Sequence, residues 1–135
     1  MNIELTDKEF RRLLDMAYIG NWILNSTRGG SRFTDYDEIE RRLFSYCTAA
    51  GMDTLFEIKD GKYQPSTAFE SGGIHDAIAD YENAVFFEIL AEELAHRDMN
   101  FEPISSDNFN ELTDRIDEYI AEFEQNGMDN IMLDK

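Results

Sequence analysis

Apolar residues recur at helical spacing along nearly the whole chain, and the spacing changes to strict alternation only once, between residues 55 and 64. That pattern limits the fold more than any other feature. Amphipathic helices must bury their apolar stripes on one another, and two strands alone are marginal, so the strands must pack on the helices. The expected fold is therefore mainly α, an α+β arrangement of about five helices around one core with a small two-stranded hairpin at roughly 55–64. Its 135 residues are the size of one domain, and no linker or internal repeat divides them.

Thr6-Asp7-Lys8-Glu9 reads as a capping box opening the first helix. Phe10, Leu13, Leu14, Ala17 and Tyr18 follow at helical spacing. Past Met16 the helix turns apolar nearly all round, with Ile19, Trp22, Ile23 and Leu24, which predicts a central helix covered on several sides. A second helix begins near Thr34-Asp35, with Glu38 as capping partner. Ile39, Leu43, Tyr46, Cys47 and Ala50 form its expected inner stripe, and Gly51 its stop.

Phe56 and Ile58 then alternate with Glu57 and Lys59, and Asp60-Gly61 is a favoured two-residue hairpin turn. Residues 74–82 read as a short helix, and Asn83 as the cap of a stronger one ending near Asp98. The last helix, about 108–126, carries Phe109, Leu112, Ile116, Tyr119, Ile120 and Phe123 on one side, with Gly127 at its end. Ile131, Met132 and Leu133 are expected to dock the tail back onto the body.

The charge is uneven. The chain holds 29 acids against 12 bases, a net of −17. Residues 1–62 carry a net of −2 and residues 63–135 a net of −15. Such an acidic half repels nucleic acid and anionic membrane, which argues against direct binding to either. A protein partner, a basic one or a second copy, suits it better. Arg11/Arg12 and Arg41/Arg42 are basic pairs able to meet the acidic half of another copy. Hydrophobic residues at 42% argue against disorder despite the high charge. One cysteine, Cys47, allows no internal disulfide and fits the cytoplasm. Residues 1–25 show no secretory signal, and no apolar run approaches the roughly 18 residues of a membrane span.

Glu93-Leu94-Ala95-His96 matches half of a di-metal helix motif. Glu92, Glu93 and His96 are therefore the candidate metal ligands, Glu92 and His96 also being i, i+4. Against them, His96 falls opposite the apolar face of Phe87, Leu90, Ala91, Leu94 and Ala95. The other histidine, His75, has glycine at position 72, where its glutamate would be. No catalytic triad setting and no cofactor motif is present, and the chain reads as non-catalytic. Arg28-Gly29-Gly30-Ser31-Arg32 is a candidate anion loop, without the lysine and spacing of a P-loop. Asp107, Glu111, Asp114, Glu118 and Glu122 fall on one stripe of the last helix, the candidate interaction surface. A carboxylate row spanning roughly 22 Å also suits a DNA mimic that inhibits a nucleic-acid-binding protein.

Residues Tyr81–Asp98 resemble a segment of small uncharacterised bacterial proteins that reads Tyr-acid-x-x-x-Phe-Trp-acid-x-Leu and then Leu-Ala-x-Arg-Asp. Tyr63-Gln64-Pro65-Ser66 fits the same pattern, and Phe87 stands where tryptophan is expected. The resemblance covers about a quarter of the chain and implies no activity. It draws attention to Arg97 and Asp98. Arg97 is expected to hold the helix end through its carbonyls, and Asp98 to turn the chain.

Overall fold

The computed structural model describes residues 1–134. The protein is mainly helical, with one two-stranded antiparallel hairpin. Its elements in order are α1 (Asp7–Asn25), α2 (Thr34–Ser45), β1 (Phe56–Lys59), β2 (Lys62–Pro65), the single turn α3 (Thr67–Phe69), α4 (His75–Asp98) and α5 (Phe109–Asn126). They form two compact units, Met1–Ile78 and Ala79–Lys135.

In the first unit the capping box is made. Thr6 accepts from the Glu9 N–H, and the Glu9 carboxylate accepts from the Thr6 N–H at 2.8 Å, which holds the Glu9 carboxyl below its usual range. Leu14, Tyr18, Phe44, Cys47, Phe69 and Ile78 build the core. Phe69 meets both Tyr18 and Phe44 edge-on. The hairpin pairs Phe56 with Pro65 and Ile58 with Tyr63. Asp60 and Gly61 take φ of 54° and 75°, the left-handed pair that a tight twisted hairpin requires. Strand β2 packs on α2.

Three expectations about this unit fail in whole or in part. α1 buries one face only, with Leu14, Tyr18, Asn21 and Asn25 inward and Met16, Trp22 and Ile23 exposed. α2 is rotated from its expected stripe. Cys47 is buried and Leu43 packs on the core as expected, but Phe44 is buried too while Ile39 and Tyr46 face solvent. The cause is polar: Asp37 and Glu40 share the face of Phe44 and Cys47, and both accept hydrogen bonds from Asn21 on α1. Glu38 makes no capping bond, because Phe33 occupies the cap position and its backbone is held by Asn25.

α4 is one continuous helix through Asn83, not two. The break falls earlier, in a π-helical turn at Glu70–Ile74 where Gly73 has φ of 108°. Residues 75–98 contain neither glycine nor proline to interrupt the helix.

In the second unit Ala95, Met99 and Leu112 are buried, with Ile116 and Tyr119 packed against them. Tyr119 stacks on Phe123, and the Phe87 ring meets the same ring at a tilt. Phe109 is exposed at the first position of α5. Gly127, at φ of 56°, ends the helix. Ile131, Met132 and Leu133 do not dock and lie exposed. The turn before them is closed on itself by the Ile131 N–H to Met128 and by Asn130 to Glu122.

Candidate functional site

The first unit holds a cavity of about 410 Å³ walled by α1, α2 and the end of the hairpin. Tyr18, Asn21 and Trp22 come from α1, Asp37, Glu40 and Arg41 from α2, and Gln64 and Glu70 from the segments after them. Asn21 and Asn25 lie one turn apart on the buried stripe of α1. Asn25 donates to the Asn21 side-chain oxygen at 2.6 Å and to the Phe33 carbonyl, and it accepts from the Phe33 N–H at 2.7 Å. That anchors the returning loop and leaves the Asn21 amide free to hold Asp37 and Glu40.

Electrostatics divide the two carboxyls. The Arg32 guanidinium donates to both oxygens of Asp37, at 2.7 and 3.1 Å, and holds that carboxyl below its ordinary range. Glu40 has no such cation, and burial pushes its carboxyl up. Burial, with the charges of Glu70 and Glu40, pushes the Tyr18 phenol up to about 12, so it stays neutral. Its oxygen lies 2.6 Å from His75 Nε2, and Trp22 packs edge-on against the same imidazole. A neutral phenol is a hydrogen-bond donor and a weak nucleophile, so this wall suits polar binding better than covalent chemistry.

Neither Asn21 nor Glu40 stands out in the sequence, where Tyr18 reads only as part of an apolar stripe and His75 only as a histidine lacking a glutamate partner. The available signal was Asn21 and Asn25 recurring at the spacing of Leu14 and Tyr18, two amides on an otherwise apolar stripe.

The anion-loop residues are placed differently from a phosphate cradle. Arg28 donates to the Leu24 carbonyl and stacks over the Phe33 ring at 4.0 Å. Arg32 is committed to Asp37 and the Asn25 carbonyl. Gly29, at φ of 54°, opens the turn Gly29–Ser31 between them. The loop closes the end of α1. Cys47 is fully buried, and burial raises its thiol above the ordinary value.

In the second unit His96 Nε2 lies 3.8 Å from Glu92, and Glu93 is exposed. Among the described residues no group of three or more metal-donor side chains converges. Arg97 pairs with Asp98 at 3.0 Å and not with helix carbonyls. The turn falls to Asn100 and Phe101, with φ of 56° and 54°, and the Phe101 N–H donates back to the His96 carbonyl. Asp98 instead accepts from the Tyr119 hydroxyl.

On α5, Glu111, Asp114 and Glu118 face solvent, while Asp107 sits in the turn before the helix. Glu111 pairs with Arg115 at 3.0 Å, and Glu122 accepts from Asn126 and Asn130. Asp107, Asp114 and Glu118 have no ion pair among the described residues.

No family model, curated protein or solved structure matches this chain. No described helix is long and apolar enough to cross a membrane.

Proposed function

We propose that this chain is a non-catalytic, cytoplasmic interaction protein, folded as one domain, whose acidic C-terminal half takes a basic protein partner. The observation that carries this reading is the outer face of α5, where Asp114 and Glu118 stand one turn apart, exposed and with no ion pair among the described residues. Placed beside them, Asp107, Glu111 and Glu122 extend the negative field along the helix. Complementary charge of this kind steers a basic partner and sets its register. A net charge of −17 argues against direct contact with nucleic acid.

Capture from native cells at low and high salt tests the reading, with D114K/E118K beside the wild type. A basic protein held at low salt, released at high salt and lost from the variant is the expected result. Capture indifferent to both salt and variant rejects it. Duplex DNA added to the same capture decides whether the partner's DNA-binding face is the one engaged.

A further inference from the structure

The cavity of about 410 Å³ in the first unit has five charged side chains in its walls, and the protein pairs only two of them with each other. Arg32 and Asp37 close on one another at 2.7 Å. Among the described residues, Glu40, Glu70 and Arg41 have no ion pair. Glu40 is partly buried, and its hydrogen bond comes from the Asn21 amide. The charges of Glu70 and Glu40 reach the Tyr18 phenol, and that of Arg41 reaches the Asp37 carboxyl. The unpaired carboxylates thus stand by Tyr18, and the unpaired guanidinium stands by Asp37. Gln64 donates its amide to Glu57 at 2.6 Å and keeps its carbonyl free, a third acceptor in the lining. Trp22 and Pro65 supply apolar surface, and Trp22 keeps 36% exposure while packed edge-on against His75.

We propose that this cavity binds a small zwitterion, an α-amino acid with an apolar side chain. Its ammonium sits at Glu40 and Glu70, its carboxylate on Arg41, and its side chain against Trp22 and Pro65. Both ends of such a ligand are needed to satisfy the walls. An ammonium carries three donors, which two carboxylates and the Gln64 carbonyl accept. A guanidinium takes a carboxylate through two parallel N–H bonds. An amine alone leaves Arg41 unmet, and a carboxylic acid alone meets the repulsion of Glu40 and Glu70. The volume falls at the small end of the roughly 300–1,000 Å³ of small-molecule sites, which suits a single amino acid. The binding is non-covalent, in keeping with the neutral Tyr18 phenol. The site lies wholly within the first unit and does not depend on a basic partner at α5.

Equilibrium dialysis of the full chain against isotope-labelled L-leucine and L-phenylalanine at millimolar concentration tests this. Trp22 is the chain's single tryptophan and lies in the cavity wall, so its fluorescence reports whether the ligand is there. The wild type is expected to retain at least one of the two amino acids and to change its Trp22 emission over the same concentrations. For L-phenylalanine, 2-phenylethylamine and 3-phenylpropionate remove the carboxylate and the ammonium in turn; for L-leucine, 3-methylbutylamine and 4-methylpentanoate do the same. Each analogue is expected to bind at least about tenfold more weakly than its parent. E70Q and R41Q are each expected to weaken the amino acid by a similar factor, with circular dichroism showing that both remain folded. Retention of neither amino acid overturns the proposal. So does retention that leaves Trp22 unchanged, an analogue that binds as well as its parent, or a folded variant that binds like the wild type.

Discussion

The Tyr119 hydroxyl donates to Asp98, tying α5 to the last turn of α4 across the second unit. The bond pulls the Asp98 carboxyl below its ordinary range, helped by Arg97, and raises the Tyr119 phenol. It also explains why Arg97 turns sideways to Asp98 instead of reaching the helix carbonyls.

Removing that hydroxyl in Y119F is expected to cost about 1 kcal/mol at neutral pH, the size of a partly solvated bond to a charged acceptor. A depressed carboxyl stabilises the folded state above its unfolded pKa and loses that contribution as pH falls through the folded one. The gap between wild type and Y119F is therefore expected to narrow in acid. Denaturant unfolding at pH 7 and at pH 3 measures both points. An undiminished gap at pH 3 would remove the charged acceptor from the account.

Tyr18 is expected to ionise near pH 12, well above the ordinary phenol value, in an ultraviolet titration of the folded protein. Y18F should delete that late step and no other. For a group raised on folding, the contribution is complete below the unfolded pKa, about 10 for a phenol, and is lost as pH rises through the folded value. Alkaline unfolding in the first unit should follow.

Asn25 is 1% exposed and makes three hydrogen bonds that hold Phe33 and Asn21. N25A leaves the Phe33 N–H without its partner and is expected to destabilise by about 3 kcal/mol. N83A, on the exposed surface of α4, is the control. It should change stability by less than about 0.5 kcal/mol, whereas a true cap would cost about 1 kcal/mol.

Burial penalises the charged form of Glu40 and raises its carboxyl above the ordinary value. E40Q keeps an acceptor for Asn21 and removes the charge, so it is expected to be the more stable protein at neutral pH. A raised carboxyl contributes below its unfolded pKa and loses that contribution as pH rises through the folded one. The advantage of E40Q should thus vanish in acid, which a series of thermal melts from pH 4 to 8 would follow. Equal melting of both proteins at pH 7 would contradict the burial effect.

The sequence by itself determined the local structure of this protein. The Thr6 box, the Asp60-Gly61 turn, the stop at Gly127 and the apolar faces of α4 and α5 all act within a few residues. Such signals survive wherever the element packs. Only the tertiary structure decided which side of α1 and α2 faces inward. Spacing alone favoured Ile39 and Tyr46, but Asn21, held by Asn25, draws Asp37 and Glu40 inward and turns Phe44 with them. On α1, Asn21 and Asn25 lie inward with Leu14 and Tyr18, which leaves Met16 and Ile23 outside. The decision rests on hydrogen bonds between residues far apart in sequence, whose strength depends on burial that no local pattern contains.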